Sequence, residues 1–168
     1  MVELREYSFE YLEDFVKHRN NPNISKNGFD RTPNPYTIEY ATELFNKNVG
    51  KNLAERFLIF HDNQLCGEIG IWLRDDIYRL NADLGYFIAE PFWGKGIATE
   101  AIKLMTEYTF KTFDVIRIVA GVFEFNKASM KALEKNGYCL ESIHKKGVVK
   151  NNEIVDDYVW VKFKDGIL

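Results

Sequence analysis

EPFWGKGIATEA, residues 90–101, sets Gly94 and Gly96 on either side of Lys95, after an apolar run and before a helical one. Glycine at two such positions lets backbone N–H groups approach a ligand with no side chain in the way. A helix opening at once adds unpaired N–H groups and the positive end of its dipole, which together suit an anion, phosphate above all. A strand-to-helix turn that merely needs glycine would read the same way. The surroundings have to decide.

Upstream, DLGYFIAE (83–90) reads as a strand, and RFLIFH (56–61) with QLCGEIGIWLR (64–74) flanks Asp62-Asn63, a hairpin signal. VELREY at the N-terminus alternates as a short strand. Ser8 is expected to cap a helix carrying Phe9, Leu12, Phe15 and Val16 on one stripe, and Thr37 a second helix with Tyr40, Ala41, Leu44 and Phe45. Residues 20–36, rich in Asn, Pro and Gly, are expected to form a long loop of the functional kind. Downstream, IATEAIKLMTEYTFKTF (97–113) has helical spacing and VIRIVAGVF (115–123) is a buried strand. NKASMKALEKNG (126–137) is a capped helix stopped at Gly137. Two alternating runs, 138–149 and 153–163, pair across Lys150-Asn151-Asn152. The predicted order is β-α-α-β-β-β-α-β-α-β-β, an α+β fold: a mixed, mostly antiparallel twisted sheet flanked by about four helices.

At 168 residues, 46% hydrophobic and 15% aromatic, the chain is expected to be one domain, 1–168, with an ample core. A formal charge of −3 argues against a nucleic-acid surface. Cys66 and Cys139 lie far apart without metal-ligand spacing and read as buried thiols in a reducing compartment; no metal is expected. With no signal peptide and no bilayer-length apolar run, the expectation is a cytoplasmic protein without a membrane partner.

Two phosphate motifs are excluded. A Walker loop needs Lys followed by Ser or Thr, which Gly94-Lys95-Gly96 lacks, and a Rossmann fingerprint would put Thr99 where its third glycine belongs. Residues 83–105 instead resemble the central motif of the GNAT N-acetyltransferase superfamily, Arg/Gln-x-x-Gly-x-Gly/Ala, with Gly96 and Ala98 in its last two slots. NKASMKALEKNGY resembles the second cofactor element of that superfamily. RTPNPYTIEYA (31–41) resembles the lead-in to the second helix in the branch that acetylates ribosomal-protein N-termini, polyamines or aminoglycosides. Two positions depart from the pattern: Trp93 fills the Arg/Gln slot, where it is expected to brace the turn, and Leu133 stands where many relatives have a thiolate-protonating Tyr.

The resemblance implies acetyl-CoA as cofactor and direct transfer to a primary amine: a protein N-terminus, a polyamine or another small amine. The backbone of Gly94, Lys95, Gly96, Ile97, Ala98 and Thr99 would hold the pyrophosphate. The pantetheine amides would add to the strand edge at Phe87, Ile88 and Ala89, with a bulge near Phe87 or Ile88 offering an N–H to the thioester carbonyl. Asn126 would hold the pantetheine or the helix start, and Ser129 would donate to the departing thiolate. Glu68, flanked by glycines that leave room, is the first candidate for the base; Glu124, Asp83, His144 and the pair Asp156-Asp157 are alternatives. Leu133 also motivates a different reading, a non-catalytic acyl-CoA-binding or regulatory domain. Exposed strand edges near the last hairpin would permit a homodimer.

Overall fold

Alternation and turn chemistry carry through into the elements of the computed structural model, which describes residues 1–167. In chain order these are β1 (Val2–Arg5), α1 (Leu12–Arg19), α2 (Pro22–Ser25), α3 (Ile38–Asn48), β2 (Arg56–His61), β3 (Gln64–Leu73) and β4 (Asn81–Ile88). There follow α4 (Ile97–Thr112), β5 (Arg117–Phe123), α5 (Lys127–Lys135), β6 (Cys139–Lys150) and β7 (Glu153–Phe163). Both hairpins turn on paired left-handed residues, Asp62 and Asn63 at φ 50° and 62°, Asn151 and Asn152 at 51° and 64°. That geometry matches the twist of the flanking strands and favours Asn and Asp. The Thr37 side chain caps α3 by accepting from Tyr40 N–H at 3.2 Å, and Gly137 ends α5 at φ 74°.

The seven strands form one sheet in the order β1-β2-β3-β4-β5-β7-β6, antiparallel except where β4 meets β5. Side-chain alternation gives it two covered faces. On one, Ile69, Ile71, Ala82, Leu84, Ile118 and Trp160 pack with Ile97, Ala101, Ile102 and Met105 of α4 and with Leu133 of α5. On the other, Leu58 and Phe60 pack with Phe15 of α1 and Phe45 of α3, whose rings meet edge to face at 5.3 Å. Each of these large side chains contributes about 1.5–3 kcal/mol by leaving water.

Three expectations need correction. Ser8 makes no side-chain capping bond; a 3-10 turn at Phe9–Tyr11 follows it, and α1 begins only at Leu12. The loop of residues 20–36 contains a fifth helix, α2, because Asn21 accepts from Asn23 N–H and Pro22 sits at the first helical position. Cys66 is buried but Cys139, the first residue of an outer strand, is exposed; both are free thiols.

That loop is pinned at three places. Asn20 and Tyr36 exchange two hydrogen bonds at its base, 2.7 and 2.8 Å. Asn21 and Asn23 donate to the Glu90 carboxylate at 2.6 and 3.0 Å, tying the loop to the segment ahead of α4. Asp30 meets the Lys150 ammonium at 2.5 Å, which holds the Asp30 carboxyl below its usual range. Among the described residues no helix is long and apolar enough to cross a membrane.

Candidate active site

The parallel junction of β4 and β5 is short. Asn81, Ala82 and Asp83 pair with Arg117, Ile118 and Val119, and there the ladder ends. Asn81 C=O accepts from Arg74 and Ala89 N–H donates to Cys66, so the odd-numbered backbone groups of β4 face β3 and the even-numbered ones face β5. Beyond Asp83 the N–H of Tyr86 and of Ile88 therefore open into a wedge between the two strands. This corrects the expected edge. Ile88 presents its N–H, Ala89 has spent its own on Cys66, and Phe87 is turned toward β3 while its ring packs against Phe15. The expected bulge lies elsewhere too: β4 runs in register with β3 through Ile88, and the irregularity falls between β2 and β3 at Ile59/Phe60.

Just past the wedge, Trp93 Nε1 donates to Ile88 C=O at 2.6 Å and so braces the turn. Gly94 and Gly96 follow at φ 74° and 76°, a region that penalises any side chain, and a Cβ on either would meet nothing within 4 Å. Gly96 is the N-cap of α4. The N–H groups from Gly94 to Thr99 have no partner among the described residues. Lys95 Nζ lies 5.3 Å from the centre of the Phe92 ring, at the rim. Open space, unpaired donors and a helix dipole of the right sign make an anion cradle.

A cleft of about 660 Å3 runs through the wedge and is lined from both faces of the sheet. On the α4–α5 side it is bordered by Tyr86, Asn126 and Ser129. Asn126 caps α5, accepting from Ser129 N–H at 3.2 Å. Ser129 Oγ lies 2.6 Å from Tyr86 Oη, and burial pushes that phenol up to about 12, so it keeps its proton at neutral pH. Leu133 is fully buried in the core and does not line the cleft.

On the α1–α3 side Glu68 is 4% exposed. Its Oε1 accepts from Tyr7 Oη at 2.6 Å and from Arg56 Nε at 2.7 Å, and Arg56 Nη2 closes the ion pair. Burial, then the charge of Glu68, drives the Tyr7 phenol well above its usual range. Burial disfavours the Arg56 cation, but Glu68 and Tyr7 outweigh it and the guanidinium is held more firmly charged. The neighbouring glycines make no room for a substrate, contrary to expectation. A Cβ on Gly70 would lie 2.7 Å from Arg56 Cγ, and one on Gly67 would lie 2.0 Å from Phe87 C=O. They admit the Arg56 stem and the β4 backbone.

Of the other candidate bases, Asp83 lines the cleft but forms a two-pronged pair with Arg74 at 2.8 and 2.5 Å. Asp157 lines it from β7, and burial raises its carboxyl above the usual range. Glu124, His144 and Asp156 lie outside. Glu124 accepts from Asp156 N–H, Asp156 pairs with Lys145 at 2.7 Å, and the His144 side chain is mostly exposed. Trp72 stands 41% exposed on the cleft wall, over Gly85 and 4.9 Å from the Arg56 guanidinium. Among the described residues no group of three His, Cys, Asp or Glu could hold a metal ion.

The sequence matches the family description Acetyltransferase (GNAT) domain over residues 2–138. The chain belongs to the GNAT acetyltransferase family. The probable N-acetyltransferase YjcK of Bacillus subtilis (strain 168) is 34% identical over 134 residues, 76% of this chain and 73% of that protein. Two solved structures share the fold at 22% identity. RimL, a ribosomal alpha-N-protein acetyltransferase in complex with coenzyme A, superposes with a TM-score of 0.83 over 98% of this chain and 94% of its own. Spermidine N-acetyltransferase from Vibrio cholerae, in complex with CoA and spermine, gives 0.81 over 96% and 95%.

Of the residues described above, the sequence reading names the glycine turn, Asn126 and Ser129, which lie at the start of α4 and on the cleft, but not Tyr86 or Arg56. The signal for Tyr86 was present: alternation in GYFI puts it and Phe87 on opposite faces of one strand. Nothing local says that its face leads to α5. Arg56 and Tyr7 meet Glu68 only through the β1-β2-β3 register, which no local pattern reveals.

Proposed function

We propose that this GNAT enzyme, acting as one domain over residues 1–168, moves an acetyl group from acetyl-CoA directly to a primary amine. The observation that carries the reading is the wedge itself: the cleft holds the Ser129–Tyr86 pair and a carboxylate-bearing wall, and β4, which forms one side of it, leads on past Ile88 and Trp93 into the anion cradle. The cradle fits a diphosphate, since Gly94 to Thr99 offer N–H groups to empty space and Lys95 adds a charge at the rim. When bound, acetyl-CoA supplies an activated thioester. Ile88 N–H points where a carbonyl oxygen in the wedge would gather charge. Ser129 Oγ donates to sulfur and is itself backed by the Tyr86 hydroxyl, which fills the place that Leu133 leaves vacant and supports a catalytic reading over a purely binding one. Asp157, raised and on the cleft, accepts the proton of the amine; Glu68, engaged by Arg56 and Tyr7, holds the wall.

The test is thiol release from acetyl-CoA with a panel of amines. Turnover of at least one amine is expected, and calorimetric binding of CoA without turnover of any would replace the enzyme by a binding domain. Ser129→Ala should lower kcat about tenfold or more while CoA affinity changes little, the range expected for one general-acid contact; an unaltered kcat would remove Ser129 from the chemistry. Asp157 must be ionised to act, so kcat/KM should fall as pH drops through its raised pKa. Asp157→Asn should lower the rate and abolish that acidic limb, and a limb that persists in the variant belongs to another group. The same reading keeps the enzyme in the cytoplasm without nucleic-acid or membrane partners, and pairs it as a homodimer through the free edge of β6.

A further inference from the structure

We propose that the acceptor amine carries a carboxylate, held by Arg19 together with the hydroxyl of Tyr36. The inference rests on the acetyltransferase reading above and names the substrate class of the same cleft. Arg19, the last residue of α1, lies with its guanidinium 4.6 Å from the Phe87 ring centre and 5.2 Å from that of Tyr36. Its Nε is buried without a partner, and among the described residues the side chain makes no ion pair. The Tyr36 hydroxyl is likewise buried; Arg19 is its nearest charged neighbour, but the two make no hydrogen bond of good geometry. Burial, the largest influence, pushes this phenol up to about 12 in spite of Arg19, so at neutral pH it is a donor. Buried donors are nearly always satisfied. Two of them border one cleft, which points to an acceptor that arrives from outside.

The charges nearby set the sign of that acceptor. Asp30 is matched by Lys150, Glu68 by Arg56 and Asp83 by Arg74. Asp157 is on β7, on the far wall, facing β5. The α1–loop side thus keeps an uncompensated cation at Arg19, with Arg31 close by on the rim, stacked 4.8 Å from the Phe29 ring. A polyamine would find no spare acid there. The flat fork of a guanidinium beside a phenolic donor suits the two oxygens of a carboxylate. Asn27 Oδ1, a third buried atom without a partner on the same cleft, would accept an N–H next to that carboxylate.

The test uses matched acceptors that differ only in the anion: free amino acids against their amides, and dipeptide amides with Asp against those with Asn in second place. Spermidine is included as a cation. At least one acid should exceed its amide in kcat/KM by about tenfold or more, the effect of one charged hydrogen-bonded contact. A preference confined to free amino acids identifies a small-molecule acceptor; one confined to the Asp dipeptides identifies an acidic peptide. Arg19→Met should bring the ratio close to one. Tyr36→Phe should lower it about threefold with little change in melting temperature, because its hydroxyl makes no hydrogen bond of good geometry to lose. Amides turned over as well as acids, or a ratio that survives Arg19→Met, would overturn the carboxylate subsite and leave the acetyltransferase reading standing. If no amine releases thiol, that reading fails instead. Calorimetric titration of acids and amides into CoA-loaded protein then decides the subsite, and equal affinities count against it.

Discussion

Gly96→Glu is expected to weaken coenzyme A binding on the order of 100-fold or more. Gly96 sits at φ 76° as the N-cap of α4, and a Cβ there would point into open space, with no protein atom within 4 Å. A glutamate side chain would occupy the cradle and set a negative charge within a few ångströms of the diphosphate. Such a pair repels by about 4 kcal/mol at the dielectric of a protein surface, and 1.4 kcal/mol is already tenfold in affinity. Gly96→Ala separates the components. It should cost about 1–2 kcal/mol of stability through backbone strain, with a far smaller change in affinity, since a methyl group neither repels phosphate nor fills the turn. Calorimetric titration with CoA, beside thermal melting of both variants, reads the two effects apart. A Gly96→Glu protein that binds CoA as tightly as the parent would place the diphosphate somewhere other than this turn.

The second large effect concerns stability. Glu68→Ala should destabilise the fold by about 3 kcal/mol, because breaking a buried ion pair strands its partner. Here it would leave Arg56 and the buried Tyr7 hydroxyl without their shared acceptor. In a chain of this size that corresponds to roughly 10 °C in melting temperature. Glu68→Gln keeps an acceptor and should lose less. Replacing the whole cluster, Tyr7→Phe with Arg56→Met and Glu68→Leu, should recover most of the loss, as apolar substitutes for buried charge networks often do. The measurement also tests the assignment of roles. A Glu68→Gln protein with parental stability but almost no turnover would make Glu68 the base and displace Asp157.

Much of this fold is written in local patterns. Asp62-Asn63 and Asn151-Asn152 announce hairpins, Thr37 and Asn126 cap helices, and Gly94 to Thr99 mark the cradle; each depends on residues within a few positions of one another. The succession of strands and main helices along the chain follows from these patterns, while the place of each strand in the sheet does not. What lies beyond local reading is whatever requires register. Tyr86 and Ser129 are 43 residues apart and meet only because β4 and α5 share one face of the sheet. Tyr7 reaches Glu68 across 61 residues. Gly67 and Gly70 look like empty space in sequence and prove to be the seats of a neighbouring strand and an arginine stem. Leu133 is instructive in the same way. The hydroxyl that position 133 lacks has a counterpart from a distant strand, Tyr86, which meets Ser129 on the same helix.

The brevity of the β4–β5 junction has a mechanical consequence. Three residue pairs join β1–β4 to β5–β7, whereas every other strand boundary runs over a longer ladder. α4 packs along β1, β3 and β4 and also against α5, and so bridges the two groups. Beyond Asp83 the two groups are therefore held by side chains and not by backbone pairing: Ile118, Trp160 and Leu133 on one side of the seam share a single core with Ile69, Leu84 and α4 on the other. An occupant that spread the strands further would have to open that shared core, so close packing on the α4–α5 face fixes the width of the wedge.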